Sequence, residues 1–455
     1  MKTYDVILIG TGQATGSLVP ALQQRGLSLA VVEGDRVGGS CVNYGCTPTK
    51  TLVASARAAH MARRGADFGV SVPSVDIDFS AVMQRMNRMR NPGSESFQSW
   101  LEETLDFYPG WASFVDEHSV EVNGTVIHGE RIIIHTGTRA RVPDISGLDS
   151  VSWLDNRGLL NLDILPEHLV IIGGSYIGLE FAQIFRRFGS EVTILQRSER
   201  LLTREDPEMS DVAMEIMQAE GVTCHTGVHV ESVSPEENGV EVRFTRGGTQ
   251  TTVAGSHLLV GAGRVPNSDR LNLDAAGVET DERGFIRVND DTSTTVPHIY
   301  ALGDINGHSH FTHTSVHDGQ VFLDRLDGGR KSIGSRIPVH ALYTDPPLGR
   351  AGMTEAEARK AGKRYRIATR KMSTIARARE KDETTGMVKL IVEKDTDLLL
   401  GAAVYGTGGD EIIAMPAVVM QNRLPYTAIT DTVLPHPTVS ELLPWIFADL
   451  ADPGG

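Results

Sequence analysis

The chain has 455 residues, of which 40% are hydrophobic and 22% are charged, so it carries enough apolar side chains for several soluble domains. Its formal net charge of -15 argues against nucleic acid or an anionic membrane as a partner. No apolar run reaches the length of a membrane span, and the three cysteines favour a reducing compartment over a disulfide-stapled secreted fold. We therefore expect a cytoplasmic protein of about three domains.

The N-terminal segment has the pattern of a dinucleotide-binding βαβ unit. Residues 5–10 predict a buried strand that ends in a glycine turn, and an amphipathic helix follows to about Arg25. A second strand over residues 28–32 ends at Glu33. This order of elements is the one in which a dinucleotide lies across the turn.

Individual residues of this unit have distinct predicted roles. Gly10 and Gly12 let the backbone approach a pyrophosphate, whose charge the helix N-terminus stabilises. Glu33, 23 positions after Gly10 (33 − 10), is placed to bond a ribose hydroxyl. Thr15 stands where the third glycine is usual, and this departure should loosen the packing of helix on strand unless Gly16 compensates.

Two of the three cysteines, Cys41 and Cys46, lie just before a run with helical periodicity. Thr47 and Pro48 are helix-start signals, so Cys46 is predicted at a helix N-terminus, where the macrodipole favours a reactive thiolate. Lys50 falls in the first turn of that helix, where a cation is unfavourable, so it should have an anionic partner elsewhere. The stretch predicts a redox-active cysteine pair.

A second unit of the same kind begins with a strand over residues 169–172 and continues with a helix to about Phe188 and a further strand. Its turn contains Gly173 and Gly178, with Ser175 in the place of the middle glycine. A shift of 163 positions superimposes the two units, placing Gly10 on Gly173, Gly26 on Gly189 and Glu33 on Gln196. An internal repeat of this length predicts two bound dinucleotides.

The residue at the end of the second unit bears on the choice of nicotinamide. Neutral Gln196 replaces the acidic residue, and Arg197 and Arg200 follow it. Guanidinium groups bind a 2′-phosphate bidentately, which favours NADPH over NADH. The alternative is that both arginines belong to a solvated surface and that NADH is used.

With the Cys-x4-Cys pair, these units resemble the pyridine nucleotide–disulfide oxidoreductases over residues 4–450. The resemblance implies an α/β fold with two Rossmann-type domains, for FAD and NAD(P), and a C-terminal α+β dimerisation domain. The segments that carry it, beyond those above, are Gly39-Ser40, Thr136-Gly137, the loop 261–267 with Gly263 and Arg264, the flavin motif 300–304 with Asp304, residues 338–352, and 436–441.

The resemblance also implies roles around the flavin. Cys41 would be the interchange thiol that meets the substrate, and Cys46 the charge-transfer thiol against the flavin. Lys50 would lie near the reactive nitrogen of the flavin and pair with Glu180. Tyr176 matches the residue that covers the flavin until the nicotinamide displaces it.

A homodimer is implied by the same likeness. His436, oriented by Glu441, would be the acid–base partner of Cys41 and would come from the other subunit. Hydride would pass from nicotinamide to flavin, and the dithiol would then reduce the acceptor. The expected domains are a flavin domain over residues 1–150, a nicotinamide domain over 151–270, a central segment over 271–335 that completes the flavin site, and an interface domain over 336–455.

The acceptor is open between several classes. Val42 and the Thr-Pro-Thr-Lys ending are nearer to the mercuric-reductase-like group than to dihydrolipoamide dehydrogenase. The last cysteine is Cys224, expected as a small residue in a strand, so the vicinal C-terminal cysteine pair of mercuric reductase is not expected. Because the flavin strand starts at Asp5, the metal-capturing N-terminal domain of that enzyme is not expected either. Segments 158–162, 311–312 and 353–355 resemble the bacterial flavoproteins that protect against reactive chlorine species and reduce copper(II).

We therefore expect a metal ion or thiol-reactive oxidant as the acceptor. The alternatives are a dihydrolipoamide or glutathione-type disulfide reductase and, more weakly, a redox sensor. A histidine-rich stretch follows Asp304, and His313 and His317 in it have the i,i+4 spacing that presents two imidazoles to one metal. A solvated loop is the favoured reading of that stretch.

Overall fold

A computed structural model describes residues 1–453, which fall into two compact units. The first contains Met1–Thr51, Ala81–Val142 and Ala262–Arg336, and the second contains Leu52–Ser80, Pro143–Gly261 and the segment from Ile337 onward. Each unit therefore joins segments that are far apart in the sequence. The expected division into three domains and a central segment remains a prediction.

The first unit is built around a seven-stranded sheet. In sheet order the strands are Asp106–Pro109, Leu29–Glu33, Lys2–Ile9, Thr125–Ile134, Ser119–Val122 and Ala112–Phe114, and Ile299–Ala301 pairs with Thr125–Ile134. Thr138–Ala140 and Arg264–Pro266 form an antiparallel ribbon. The helices wholly or partly in this unit are Thr15–Gln24, Gly39–Tyr44, Cys46–Arg63, Phe79–Thr104 and Thr312–Leu326.

Both faces of this sheet are buried, as parallel strands require. In the strand Lys2–Ile9, Val6 and Leu8 share a core with Leu18 and Leu22 of the first helix, while the alternate residues join the core on the opposite face. The apolar run at the start of the chain is thus a central strand, as its pattern predicts.

The second unit contains a parallel sheet in the order Thr223–Thr226, Glu191–Gln196, His168–Ile172 and His257–Val260. An antiparallel sheet of Val228–Glu236, Gly239–Arg246 and Thr249–Gly255 follows. The helices of this part are Asn156–Leu159, Tyr176–Phe188 and Pro207–Ala219. These elements form the second Rossmann-type fold.

The C-terminal segment of the second unit forms an antiparallel five-stranded sheet. In sheet order its strands are Val339–Leu342, Leu348–Gly352, Leu399–Tyr405, Met387–Glu393 and Tyr365–Lys371. Its helices are Glu355–Lys360, Ala376–Glu380, Gly409–Ile412, Ala414–Gln421, Thr427–Thr430 and Leu443–Ile446. The predicted fold class, two Rossmann-type folds and a C-terminal α+β domain, is confirmed.

Strand register confirms the internal repeat. Val6 pairs with Leu29 in the first unit, and Leu169 pairs with Val192 in the second. Each residue of the second pair lies 163 positions after its counterpart in the first (6 + 163 and 29 + 163).

Among residues 1–453, no helix combines the length and apolar content that crossing a bilayer requires.

Candidate functional site

The first glycine turn is fixed by the acidic residue at the end of the second strand. The backbone N–H of Thr11 donates to Glu33 Oε2 at 2.9 Å, and the Thr11 hydroxyl donates to the same oxygen at 2.5 Å. Gly10 has φ +103°, and a Cβ there would overlap the carbonyl of His135. The turn therefore brings bare backbone to the N-terminus of the helix Thr15–Gln24, where a pyrophosphate fits.

The expected loosening at Thr15 is not observed. Thr15 is fully buried, and its hydroxyl donates to the carbonyl of Gly10 at 3.3 Å. The side chain thus satisfies a turn carbonyl instead of separating helix from strand.

The second glycine turn repeats this arrangement with a neutral side chain. Gly174, at the position of Thr11 plus 163, donates its N–H to Gln196 Oε1 at 2.9 Å. A Cβ at Gly178 would overlap the carbonyl of Gly173, so helix and strand touch here as the fingerprint predicts. Ser175 is exposed at the helix start.

The two arginines after Gln196 differ. Arg200 pairs with Asp211 at 2.5 Å. Arg197 is exposed beside the strand end. Of the two, Arg197 is the side chain with room to meet an added phosphate.

The thiol pair lies at the junction of two helices in the first unit. Cys41 is in the helix Gly39–Tyr44, and Cys46 begins the helix Cys46–Arg63, which confirms its expected place at a helix start. The two thiols share a hydrogen bond, Cys46 is exposed, and Cys41 is half-buried. The Thr312 hydroxyl lies 3.4 Å from Cys46 Sγ and also hydrogen-bonds Cys41.

The electrostatics of Cys41 favour the thiol over the thiolate. The hydrogen bond with Cys46 and then burial raise the pKa of Cys41, while the Thr312 hydroxyl opposes them. Cys41 therefore needs a base before it reacts. Cys224 lies in the strand Thr223–Thr226, as expected, and burial raises the pKa of its thiol to about 11.

Asp304 lies in the same unit as the thiols and is held by three cationic or polar groups. The Thr138 hydroxyl donates to its Oδ2 at 2.8 Å, and Arg264 Nε and His310 Nδ1 lie 3.8 and 3.6 Å away. Burial would raise the pKa of Asp304, but these groups outweigh it and lower that pKa. An ionised Asp304 suits an acceptor for cofactor hydroxyls.

The neighbouring cofactor candidates are held in place by a loop over residues 262–267 of the same unit. The Thr136 hydroxyl donates to the carbonyl of Asn267 at 3.1 Å, and Asn267 donates its N–H to Gly137 at 3.0 Å. Gly263 has φ +113°, which favours glycine. Gly39, with φ +63°, approaches the backbone of Gly12 so closely that a Cβ would lie 3.1 Å from its Cα.

In the second unit, Tyr176 is tied to a buried ionic group that sequence reasoning missed. The Tyr176 hydroxyl donates to Glu205 Oε1 at 2.5 Å, and burial and then the Glu205 charge raise the pKa of Tyr176. Glu205 also accepts from His340 and Arg350. In the sequence, Glu205 is one of an acidic pair before Pro207, and this local pattern does not indicate that His340 and Arg350 are its partners.

The remaining catalytic candidates have these surroundings. Glu180 is buried and accepts the backbone N–H of Tyr343 at 2.9 Å. His436 Nδ1 lies 2.9 Å from Glu441 Oε2, and the imidazole is exposed. Lys50 is half-buried in the helix Cys46–Arg63, and its pairing with Glu180 remains a prediction.

The two histidines singled out in the histidine-rich stretch contact different side chains. His313 stacks on Phe311, and His317 Nδ1 lies 3.5 Å from Arg336 Nη1. Within the described part of the chain, no group of three or more His, Cys, Asp and Glu side chains is arranged to hold a metal ion.

Two family models together match most of this chain. The model of the pyridine nucleotide-disulphide oxidoreductases matches residues 4–319, and that of their dimerisation domain matches residues 339–447. Probable pyridine nucleotide-disulfide oxidoreductase RclA of Escherichia coli is 36% identical over 98% of this chain and 99% of its own. Mercuric reductase of Lysinibacillus sphaericus is 32% identical over 96% and 81%. The solved Cu(II) complex of HOCl-induced flavoprotein disulfide reductase RclA from Escherichia coli has a TM-score of 0.88 at 36% identity, covering 97% of this chain and 99% of that one.

Proposed function

The chain belongs to the pyridine nucleotide-disulphide oxidoreductase family, and from that premise we propose that it is an FAD-containing, NADPH-dependent reductase of a metal ion or thiol-reactive oxidant. Copper(II) is the favoured ion, because the relative RclA, 36% identical, has been solved as a Cu(II) complex. Reduction would pass through a Cys41–Cys46 disulfide.

The observation that carries the proposal is the thiol pair. Cys41 and Cys46 share a hydrogen bond, and the exposed Cys46 begins a helix. Close, partly exposed thiols at a helix start are suited to reversible disulfide chemistry rather than to a structural role.

Both glycine turns and Asp304 fit the cofactors that this family uses. FAD, when bound, supplies the two-electron chemistry that links a nicotinamide hydride to a disulfide. Two electrons and one proton break the S–S bond and leave one thiol and one thiolate. Two copper(II) ions then take one electron each, and loss of the remaining proton re-forms the disulfide.

His436 would supply the base that Cys41 needs. Because its Nδ1 faces Glu441, its Nε2 is left to take the thiol proton and later return it. We propose that this histidine serves the other subunit of a homodimer, in keeping with the dimerisation domain.

Mixed dimers test that assignment. Cys41→Ser and His436→Gln should each be inactive alone. A heterodimer of the two variants contains one intact site if His436 acts across the interface, so activity should return to about a quarter of the wild-type level in a statistical mixture, whose heterodimers form about half. No recovery in verified heterodimers would place His436 and Cys41 in the same chain.

Anaerobic turnover with a panel of acceptors tests the function itself. We expect reduction by NADPH to exceed that by NADH, because Arg197 is available to a 2′-phosphate, and we expect copper(II) or mercury(II) to support turnover. Cys41→Ser should abolish turnover, while Cys224→Ser should not change it. Turnover with lipoamide and NAD, and none with metal ions, would overturn the proposal in favour of a metabolic disulfide reductase.

A further inference from the structure

Tyr176 is held at both ends of its side chain. Its backbone begins the helix Tyr176–Phe188 directly after the glycine turn, and its hydroxyl donates to Glu205 Oε1 at 2.5 Å. A hydrogen bond of this length to a carboxylate belongs to the strong, charge-assisted class. The hydroxyl is therefore held against the carboxylate, and a swing of the side chain about the Cα–Cβ bond would break this contact.

Glu205 cannot follow a moving tyrosine. Its side chain is 1% exposed and also accepts from His340 Nε2 at 3.0 Å and Arg350 Nε at 2.6 Å. Arg350, itself 2% exposed, is held in turn by the carboxylate of Asp206. Burial would raise the pKa of Glu205, but His340 and Arg350 outweigh it and lower that pKa to about 2, so the acceptor is charged at neutral pH.

The position of the hydroxyl makes this bond sensitive to ring motion. Because the hydroxyl is the atom farthest from Cα, a swing of the side chain moves it at least as far as the ring. Clearing a stacked ring takes about 3.5 Å, the contact distance of carbon atoms. A shift of that size carries the hydroxyl well beyond hydrogen-bond reach of the fixed carboxylate.

We propose that Glu205 is a positioning residue that latches Tyr176, so that this hydrogen bond breaks each time reduced nicotinamide takes the place of the ring. The inference rests on the proposed function and on the role that the family resemblance implies for Tyr176, which is to cover the flavin. Breaking this hydrogen bond makes nicotinamide binding less favourable. Its re-formation returns Tyr176 to the closed position when the nicotinamide leaves.

Three variants of the holoenzyme separate the latch from the cover. Tyr176→Phe removes the hydroxyl alone, Glu205→Gln weakens the acceptor, and Tyr176→Ala removes the ring. We expect Tyr176→Phe and Glu205→Gln to lower the KM for NADPH about fivefold, which is less than the roughly tenfold effect that one hydrogen bond to a charged group can supply. The double variant should match Tyr176→Phe, because both changes break the same bond.

Tyr365→Phe is the matched control. The Tyr365 hydroxyl also donates to a glutamate, Glu355 Oε1 at 3.1 Å, and it lies in the strand Tyr365–Lys371 of the C-terminal sheet. Its loss should leave the kinetics of flavin reduction by NADPH unchanged. Flavin content and thermal unfolding, measured on every variant, separate kinetic effects from misfolding.

Each outcome decides a different point. Failure of NADPH to bleach the wild-type flavin would overturn the proposed function itself. An altered KM in Tyr176→Ala with wild-type behaviour in Tyr176→Phe would leave the cover in place and refute the latch. A raised KM in Tyr176→Phe, or additive effects in the double variant, would refute it as well. If Glu205→Gln does not fold, Tyr176→Phe still decides the question.

Discussion

Removal of the Thr312 hydroxyl should lower the population of the thiolate form of the cysteine pair. Thr312 Oγ1 lies 3.4 Å from Cys46 Sγ and also hydrogen-bonds Cys41, whose pKa it lowers against the contrary effects of Cys46 and burial. After disulfide reduction one sulfur carries a negative charge, and this hydroxyl is placed to donate to either one. Thr312→Val keeps the shape of the side chain and removes the donor.

The size of the effect follows from the energy of a hydrogen bond to a charged group, about 1.5 kcal/mol at the lower end of the usual range. Since about 1.4 kcal/mol corresponds to a factor of ten, the thiolate population at a pH below its pKa should fall about tenfold. The sign is fixed because the loss of a donor disfavours only the charged form and so raises the apparent pKa.

The assay is the pH dependence of the long-wavelength absorbance that a thiolate beside oxidised flavin produces, together with the alkylation rate of the reduced pair. Thr312→Ser should restore the wild-type profile. Thr314→Val is the matched control, because the Thr314 hydroxyl donates to the carbonyl of Phe311 at 2.6 Å and not to sulfur. Coincident profiles for wild type, Thr312→Val and Thr314→Val would refute the reasoning.

Three further predictions test the described contacts. Burial lowers the pKa of His135 to about 4 from its ordinary 6.5, so the unfolded chain takes up a proton before the folded chain does as the pH falls. The free energy of unfolding should therefore decrease by about 3 kcal/mol between pH 6.5 and pH 4. Denaturant unfolding of His135→Gln should not show this decrease. Arg350→Ala leaves two buried carboxylates without its guanidinium and should cost about 3–5 kcal/mol of unfolding free energy. Arg359→Ala removes an exposed pair and should cost far less, and equal losses would contradict the assignment. Asp304→Asn removes an ionised carboxylate from the flavin motif and should raise the Kd of FAD about tenfold in fluorescence titrations. An unchanged Kd would contradict this prediction.

Local sequence patterns predicted the elements that depend on nearby residues. The 163-position repeat anticipated two strands in equivalent register, because glycine spacing and apolar runs act within about 30 residues. Cys46 was placed at a helix start by Thr47 and Pro48. The comparisons confirm the family and the enzyme class that these patterns indicated.

Local sequence patterns could not predict contacts between residues that lie far apart in the sequence. Glu205 and Arg350 lie 145 positions apart, and neither stands in a motif that names the other. His135 precedes a recognised Thr-Gly pair, but its packing beneath Gly12 depends on the sheet and on the helix that carries Ser315. Thr15 was misjudged for a related reason, since the pattern gave no sign that its hydroxyl meets the Gly10 carbonyl.

The central claim, that NADPH reduces a Cys41–Cys46 disulfide, is tested most directly by counting thiols. The chain has three cysteines. Alkylation in denaturant, followed by mass spectrometry, should label one of the three in the oxidised holoenzyme and all three after anaerobic NADPH, with Cys41 and Cys46 as the added sites. Equal labelling before and after NADPH, in protein whose flavin is nevertheless reduced, would contradict the account.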